Sequence, residues 1–147
     1  MDHERVVELL GLSPHPEGGF YKETFRASAS TAIYFLLPAS TFSAFHRIRS
    51  DECWHHYDGD PLELHVIHPD GRHERVVLGR DLAKGERPQH VVPGGAWQAA
   101  MPIGSRFTLC GCTVAPAFDF AQFEMPSQSE LLSLLPSHAD LVRRFAR

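Results

Sequence analysis

Apolar and polar residues follow three patterns along the chain, and the first of them is helical. After Asp2, apolar residues recur on one broad helical face as far as Leu10, and Gly11 comes directly behind them. Aspartate is a favoured N-cap residue, and glycine is favoured just past the end of a helix. The pattern therefore predicts a short helix over His3–Leu10. Residues 13–19 are rich in proline and glycine and predict a connector.

From Phe20 the spacing changes to short runs of aromatic and β-branched residues, which are separated by turn residues. Such runs are typical of the strands of a β-sandwich or barrel. Asp70-Gly71 lies between two runs and predicts a hairpin with a type I′ turn, which needs positive φ at both central positions. Because no helical crossovers separate the strands, we expect them to pair mostly antiparallel. The ten predicted strands cover residues 20–25, 31–37, 42–48, 52–57, 62–68, 72–78, 89–92, 96–101, 106–114 and 118–123.

The C-terminal part of the chain returns to helical spacing. Ser127 with Glu130, and Ser137 with Asp140, have the spacing of capping boxes, and apolar residues follow each pair. We therefore expect short C-terminal helices, whose apolar faces must cover either the exterior of the β-structure or a second subunit. No linker, repeat or low-complexity tract divides the chain, so a single domain over residues 1–147 is expected. The predicted fold class is all-β with short helices at both ends.

Composition and charge narrow the classes of partner. The net charge is -4, and lysine and arginine are not clustered, which argues against nucleic acid or an anionic membrane surface as the main partner. No apolar run approaches the roughly 20 residues that span a bilayer. The first residues include acidic Asp2 and Glu4 instead of a basic segment, so we expect a cytoplasmic protein. The three cysteines are expected to be reduced thiols.

The candidate chemistry is concentrated in residues 46–59. Alternation along the strand 42–48 places His46 and Ile48 on one face. After a short turn, the next strand presents Glu52, Trp54 and His56 to one face and its other residues, His55 among them, to the opposite face. If the first of these faces lines a barrel interior, His46 and Glu52 meet in it.

This spacing resembles the first cupin motif, in which two histidines separated by one residue are followed by a glutamate and then by a glycine. His46, Glu52 and Gly59 match that motif in register, and Ile48 stands at the position of the second histidine. The second cupin motif, Pro-x-Gly followed after two residues by a histidine, is similar to residues 93–98. There Gln98 stands at the histidine position.

The chain as a whole resembles the small single-domain cupins of unassigned function known as the cupin 5 group. This resemblance implies a double-stranded β-helix, or cupin jelly roll, with a pocket in its mouth. It also implies a homodimer, and it implies no settled activity. Ala117 takes a position where glycine is expected. The resemblance is carried by Pro16-Glu17-Gly18-Gly19-Phe20, Phe45-His46, Ser50-Asp51-Glu52, Trp54-His55, Gly59-Asp60-Pro61-Leu62, Val92-Pro93-Gly94-Gly95-Ala96-Trp97-Gln98-Ala99 and Gly111-Cys112-Thr113-Val114-Ala115-Pro116-Ala117-Phe118-Asp119-Phe120.

Three functions are compatible with this pocket, and whether the protein is an enzyme stays open. In a metal-free isomerase or epimerase, His46, Glu52 and His56 would be the catalytic acid and base groups. In a binding module, a small polar metabolite would contact the ligand-binding residues Trp54, His55, Trp97, Gln98, Tyr34 and Phe20.

The third function is that of a metal-dependent enzyme of the oxygenase or isomerase type. It would use His46, Glu52 and the weak amide ligand Gln98 to hold a divalent metal. Because two of the four expected metal ligands are replaced, the absence of a metal is favoured over its presence. Ile48 would then contribute an apolar wall to the pocket.

Overall fold

Two antiparallel sheets form the body of the protein in the computed structural model, which describes all of residues 1–147. The six-stranded sheet has the order β1-β2-β3-β10-β5-β8, and the four-stranded sheet has the order β4-β9-β6-β7. The strands are β1 (Ser13–Pro14), β2 (Phe20–Arg26), β3 (Thr31–Leu37), β4 (Ser43–His46), β5 (Asp51–Gly59), β6 (Leu62–Ile67), β7 (His73–Leu78), β8 (Gln89–Val92), β9 (Trp97–Pro102) and β10 (Thr108–Ala115). The predicted all-β class with antiparallel pairing is confirmed.

The main core lies between the inner faces of the two sheets. Alternation within β5 (Asp51–Gly59) turns Glu52, Trp54 and His56 inward, and all three are buried. The apolar members of this core come from both sheets, as expected for a sandwich. They include Phe35, Leu37, Trp54, Leu62, Leu64, Val66, Leu78, Val92 and Cys110.

The C-terminal helices α2 (Gln128–Leu134) and α3 (Ala139–Phe145) cover the outer face of the four-stranded sheet. Strand β6 (Leu62–Ile67) is consequently buried at every position, on both of its faces. The sequence leaves open whether the apolar faces of these helices cover the exterior of the β-structure or a second subunit. In the structure they cover the exterior of the four-stranded sheet. The second core contains Phe45, Ile67, Trp97, Ala99, Leu131, Val142, Phe145 and Ala146.

The helix boundaries follow the capping signals with one exception. Helix α1 (His3–Leu10) is capped by Asp2, which accepts from the Arg5 amide at 3.0 Å, and it ends at Gly11 in the left-handed conformation. Ser127 and Glu130 form the predicted capping box. The predicted box of Ser137 with Asp140 is wrong, because 136–138 form a 3₁₀ turn and α3 begins without a side-chain cap.

Two details of the predicted strands are also wrong. Residues 118–123 form no strand, because the Asp119 side chain accepts from the Ala121 amide and starts a 3₁₀ turn. The hairpin between β6 and β7 exists, but of Asp70 and Gly71 only Gly71 has positive φ. Its turn is therefore not type I′.

Three further findings concern the cysteines, membrane-spanning helices and the connector before β2. All three cysteines are free thiols, as expected. No helix in the structure combines the length and the apolar character that crossing a membrane requires. An unpredicted short strand, β1, pairs with β2 and so fixes the start of the connector that leads to Phe20.

Phe145 gives a test of the helical cover. Its side chain is fully buried against the sheet, so Phe145→Ala is expected to cost about 3–5 kcal/mol of unfolding free energy. Leu134→Ala is the matched control, because Leu134 is 59% exposed and its truncation should change stability by less than about 0.5 kcal/mol. Urea denaturation followed by circular dichroism measures both. Similar losses in the two variants would contradict the packing.

Candidate functional site

A cavity of about 370 Å³ opens at one end of the sandwich, on the inner side of the six-stranded sheet. Its size is within the range of small-molecule sites. The connector before β2 supplies His15 and Glu17, the end of β4 supplies His46, and the start of β5 supplies Glu52. The segment after β10 closes one side with phenylalanine rings. Four titratable groups from different parts of the chain are thereby collected in one cavity.

Glu17 and His46 are joined by a buried hydrogen bond that holds one proton. Glu17 Oε2 lies 3.0 Å from His46 Nε2, and both side chains are almost fully buried. The other ring nitrogen, His46 Nδ1, lies 2.8 Å from the Ala44 carbonyl oxygen. A carbonyl oxygen can only accept, so Nδ1 carries a hydrogen. One further proton is shared between Nε2 and the carboxyl group. The pair is therefore either neutral or an ion pair of a carboxylate and an imidazolium.

Burial decides which of these two forms is stable. It raises the pKa of Glu17 to about 8. It lowers the pKa of His46, against the opposing effects of Glu52 and the Ala44 carbonyl. Both changes have the same cause, which is the cost of removing a charged group from water. At pH 7 the proton therefore lies on Glu17, which donates to a neutral His46.

Glu52 is held in place by a second buried hydrogen-bonded chain. The Trp54 indole Nε1 donates to Gln98 Oε1 at 2.8 Å, and Gln98 Nε2 donates to Glu52 Oε1 at 2.7 Å. An indole N–H can only donate, so the orientation of the Gln98 amide is fixed. Burial is the main cause that raises the pKa of Glu52 to about 7, and proximity to Glu17 adds to it. Glu52 can consequently gain or lose a proton near neutral pH.

His15 is a neutral partner in the same cavity. Its Nδ1 accepts from the Glu17 backbone amide at 3.1 Å, which places the ring hydrogen on Nε2. The rings of Tyr21, Phe35, Phe120 and Phe123 lie within 6.0 Å of the His15 ring, measured between centroids. Burial, followed by the proximity of His46, lowers the pKa of His15 to about 3. His15 therefore fixes the Glu17 backbone without bringing a charge.

The upper walls of the cavity are apolar. Phe118, Phe120 and Phe123 contact one another through edge-to-face ring pairs. The Phe123 ring also stacks on His46 at 5.3 Å between centroids. Ile33, Ile48 and Val114 line the cavity as well, and the exposed Lys22 and Glu23 border it. The cavity thus combines a polar, titratable floor with walls that exclude water.

Sequence similarity agrees with the fold. Residues 4–126 match the family model described as "Cupin superfamily (DUF985)". The chain belongs to this cupin family. An uncharacterized protein of Saccharomyces cerevisiae is 30% identical to this cupin, over 80% of this chain and 71% of the yeast protein. The predicted membership of the cupin superfamily is confirmed.

Solved structures confirm the cupin fold. A protein from Shewanella oneidensis is 37% identical, with a TM-score of 0.96, and the match covers 100% of this chain and 98% of that chain. A hypothetical protein from Leishmania major is 34% identical, with a TM-score of 0.94 and 99% of each chain covered. An oxalate decarboxylase variant from Bacillus subtilis has a TM-score of 0.64 at 10% identity, over 84% of this chain and 34% of that chain. This last similarity concerns the fold alone.

The residues of the cupin motifs are engaged with one another in this structure. Gln98 Oε1 accepts from Trp54, and the amide nitrogen donates to Glu52, so the Gln98 amide is held in place by two hydrogen bonds. His46 Nε2 is bonded to Glu17, and Ile48 has no donor atom. No three His, Cys, Asp or Glu side chains are grouped so as to hold a metal ion. The metal-ligand roles of His46, Glu52 and Gln98 therefore stay predictions, and the hydrogen bonds of Gln98 do not favour its part in them.

Two of the predicted site residues, His46 and Glu52, line the cavity, and Gln98 lies directly behind Glu52. His56 shares the inner face of β5 but lies farther along the strand, where its Nε2 contacts the Asp60 carbonyl oxygen at 3.0 Å. Trp54 belongs to the main core and reaches the cavity only through Gln98. The functional roles of these five residues stay predictions. Among the predicted site residues, only His46 and Glu52 line the cavity, where a ligand could contact them directly.

The other four predicted ligand-binding residues point away from the cavity. His55 is on the outer face of β5, where Nε2 contacts Thr113 Oγ1 at 2.9 Å, because alternation turns it from Glu52. Trp97 packs beneath the C-terminal helices with Arg47 over its ring. Phe20 and Tyr34 pack in the small core around α1.

Glu17 and His15 line the cavity, but the sequence patterns do not identify them as candidate site residues. Both lie in the proline- and glycine-rich connector, where strand alternation gives no direction for a side chain. The one available signal was the family block that begins at Pro16. Gly18 in this block has φ of 111°, and a Cβ atom there would collide with the Phe42 carbonyl oxygen. Glycine therefore permits the close turn that directs Glu17 to His46.

Metal content is expected to be low in this cupin. Protein purified without a chelator should contain well under one equivalent of any transition metal, because the donor atoms of the motif are engaged with one another. Elemental analysis measures this directly. A stoichiometric metal that disappears in His46→Ala would contradict the interpretation.

The pH dependence of stability tests the protonated state of Glu17. The folded protein holds the Glu17 proton up to about pH 8, whereas an unfolded chain releases it near the ordinary value of 4.5. The folded state therefore binds more protons across this window, and this group's contribution to stability falls as the pH rises, by at most about 1.4 kcal/mol per pH unit. Glu17→Gln lacks the proton and should lose less stability between pH 5 and pH 8.

Chemical denaturation at several pH values measures this difference. Glu4→Gln is the matched control, because Glu4 is exposed on α1 and the same substitution there leaves the cavity unchanged. Curves for the wild type and Glu17→Gln that stay parallel over this range would show that Glu17 is ionised in the folded state.

Proposed function

We propose that this cupin binds a small polar metabolite in the cavity and transfers a proton on it without a metal, as an isomerase or epimerase acting beside a carbonyl group. The observation that carries the proposal is the buried contact of 3.0 Å between Glu17 Oε2 and His46 Nε2, whose other ring nitrogen is engaged by the Ala44 carbonyl oxygen. Next to that pair stands Glu52, a second carboxyl group whose pKa is about 7. Catalytic acids and bases work best when their pKa is near the operating pH.

The two carboxyl groups suit opposite roles. Ionised Glu52 accepts a proton from the carbon beside the carbonyl group of the ligand, and the electron pair of that C–H bond moves to the carbonyl oxygen. Glu17 transfers to this oxygen the proton that it shares with His46 in the resting protein. Return of the proton from Glu52 to the neighbouring carbon gives the isomer, with Glu17 taking back a proton from the second oxygen, whereas the epimer forms only when a proton reaches the first carbon on the face opposite Glu52. Each cycle restores both groups.

The surroundings of both groups support such a role. Gln98 and Trp54 hold Glu52 in one position, and His15 together with Ala44 fixes Glu17 and His46. Phe123 stacks on His46 and limits the access of water. Rigid donors and acceptors in a dry site need little rearrangement during a reaction. The metal-dependent alternative has less support, since its proposed ligand Gln98 is already engaged by Trp54 and Glu52.

Exchange with deuterated water provides the test. Incubation of hydroxyacetone and 2-hydroxycyclohexanone with the protein in D₂O, followed by proton NMR, detects loss of the hydrogen beside the carbonyl group. Glu17→Gln keeps a donor towards His46 but has no acidic proton, so its exchange rate should fall at least about a hundredfold, in line with the usual contribution of general acid–base catalysis.

The control for this experiment is again Glu4→Gln, which should exchange at the wild-type rate. Absence of exchange above the uncatalysed rate with the wild-type protein would count against proton transfer and leave metabolite binding alone. Equal exchange by the wild type and Glu17→Gln would remove Glu17 from the mechanism. The homodimer and the cytoplasmic location stay predictions.

A further inference from the structure

We propose that the cavity selects an uncharged ligand with a flat ring and discriminates against anions. This inference rests on the proposed function, because it names the class of substrate that the same cavity would take. Two independent features carry it: the charges that line the floor, and the side chains that form the walls.

The floor offers no cation to a bound anion. Its titratable groups are the carboxyl groups of Glu17 and Glu52, the imidazoles of His15 and His46 and the thiol of Cys112 beside Glu52, and the exposed Glu23 adds a third carboxyl group to the lining. Lys22 is the only lysine or arginine that lines the cavity, and its side chain is exposed. Sites for phosphate or carboxylate usually present arginine or lysine side chains. An anion on this floor would instead face two carboxyl groups.

One nearby arginine does not change this balance. The guanidinium group of Arg147 donates to the backbone carbonyl oxygens of Glu17 and Phe42, at 3.1 and 3.3 Å. It does not line the cavity. Its hydrogen bonds are made to the backbone of the connector, so it supports the position of Glu17 and offers nothing to a ligand.

A cation is also a poorer ligand than a neutral molecule. To pair with a cation, Glu17 would have to give up the proton in its bond with His46, and a positive charge would then stand beside two buried imidazoles. A neutral amide group donates to Glu52 without changing the protons on the floor. The floor therefore suits a polar group that has no net charge.

The walls indicate a flat ring. The phenylalanine rings at 118, 120 and 123 contact one another on one side, and Tyr21 adds a further aromatic side chain. Aromatic groups gain additional stability from offset or edge-to-face contacts with rings. A planar ring that directs one polar group to Glu17 and Glu52 uses both parts of the cavity.

Three probes of nearly identical shape separate the charge classes. Benzamide is neutral, benzoate is an anion and benzamidine is a cation at pH 7. Binding to the wild-type protein is followed by NMR titration of the Tyr21 and Phe123 ring signals. Benzamide is expected to bind at least tenfold more tightly than either charged probe. Equal or tighter binding of benzoate or benzamidine would overturn the proposed charge selection. If none of the three probes binds at millimolar concentration, the proposed preference for a flat ring is overturned.

The variant Glu52→Gln tests whether the floor of the cavity causes the selection by charge. In Glu52→Gln the amide still accepts from Gln98, but the carboxyl group is gone, so benzoate should gain at least fivefold in affinity at pH 8 while benzamide changes less than twofold. Glu4→Gln makes the same change in net charge outside the cavity and should leave both affinities unchanged. No gain for benzoate in Glu52→Gln would overturn the assignment to the floor.

These titrations need no turnover, so the two proposals can fail separately. The expected order of the probes without deuterium exchange would keep the ligand class and reject proton transfer. Deuterium exchange together with the reverse order of the probes would do the opposite.

Discussion

The hydrogen bonds from Trp54 through Gln98 to Glu52 connect the two sheets of the sandwich inside its core. Trp54 and Glu52 belong to β5 of one sheet, whereas Gln98 belongs to β9 of the other. All three side chains are buried, and a buried polar group without a partner is costly. The sheets must therefore meet in the one register that satisfies every member. That register also brings the start of β5 to the end of β4, where His46 lies.

Burial then determines the chemistry of the cavity. Carboxyl groups that would be ionised at the surface retain protons here, and histidines that would gain protons in mild acid stay neutral. The result is a floor on which Glu17, His15 and His46 are uncharged at neutral pH and only Glu52 is close to its point of ionisation. The proposed proton transfer depends on the position of one proton between Glu17 and His46, and no charged partner is required to hold that proton in place.

Much of this arrangement could be predicted from local sequence patterns. Helix α1, the alternation in β5 and most strands follow from spacing and capping signals, and the cupin motifs identify His46 and Glu52. Trp97 could not be placed, because strand alternation does not reveal that helices bury the second face of its sheet. The direction of the Gln98 amide could not be predicted either, since it depends on a donor 44 residues away. Glu17 lay in a connector, where no periodicity defines the direction of a side chain.

The C-terminal helical cover has a consequence for the evolution and engineering of this fold. Its residues lie beyond the region 4–126 that matches the family, yet Arg147 donates to the backbone carbonyl of Glu17. Changes in this peripheral segment can therefore shift the connector while every residue of the cavity stays the same. Two relatives with identical cavity residues can differ in ligand preference through their C-terminal segments, so a comparison restricted to the motif positions would overlook the difference.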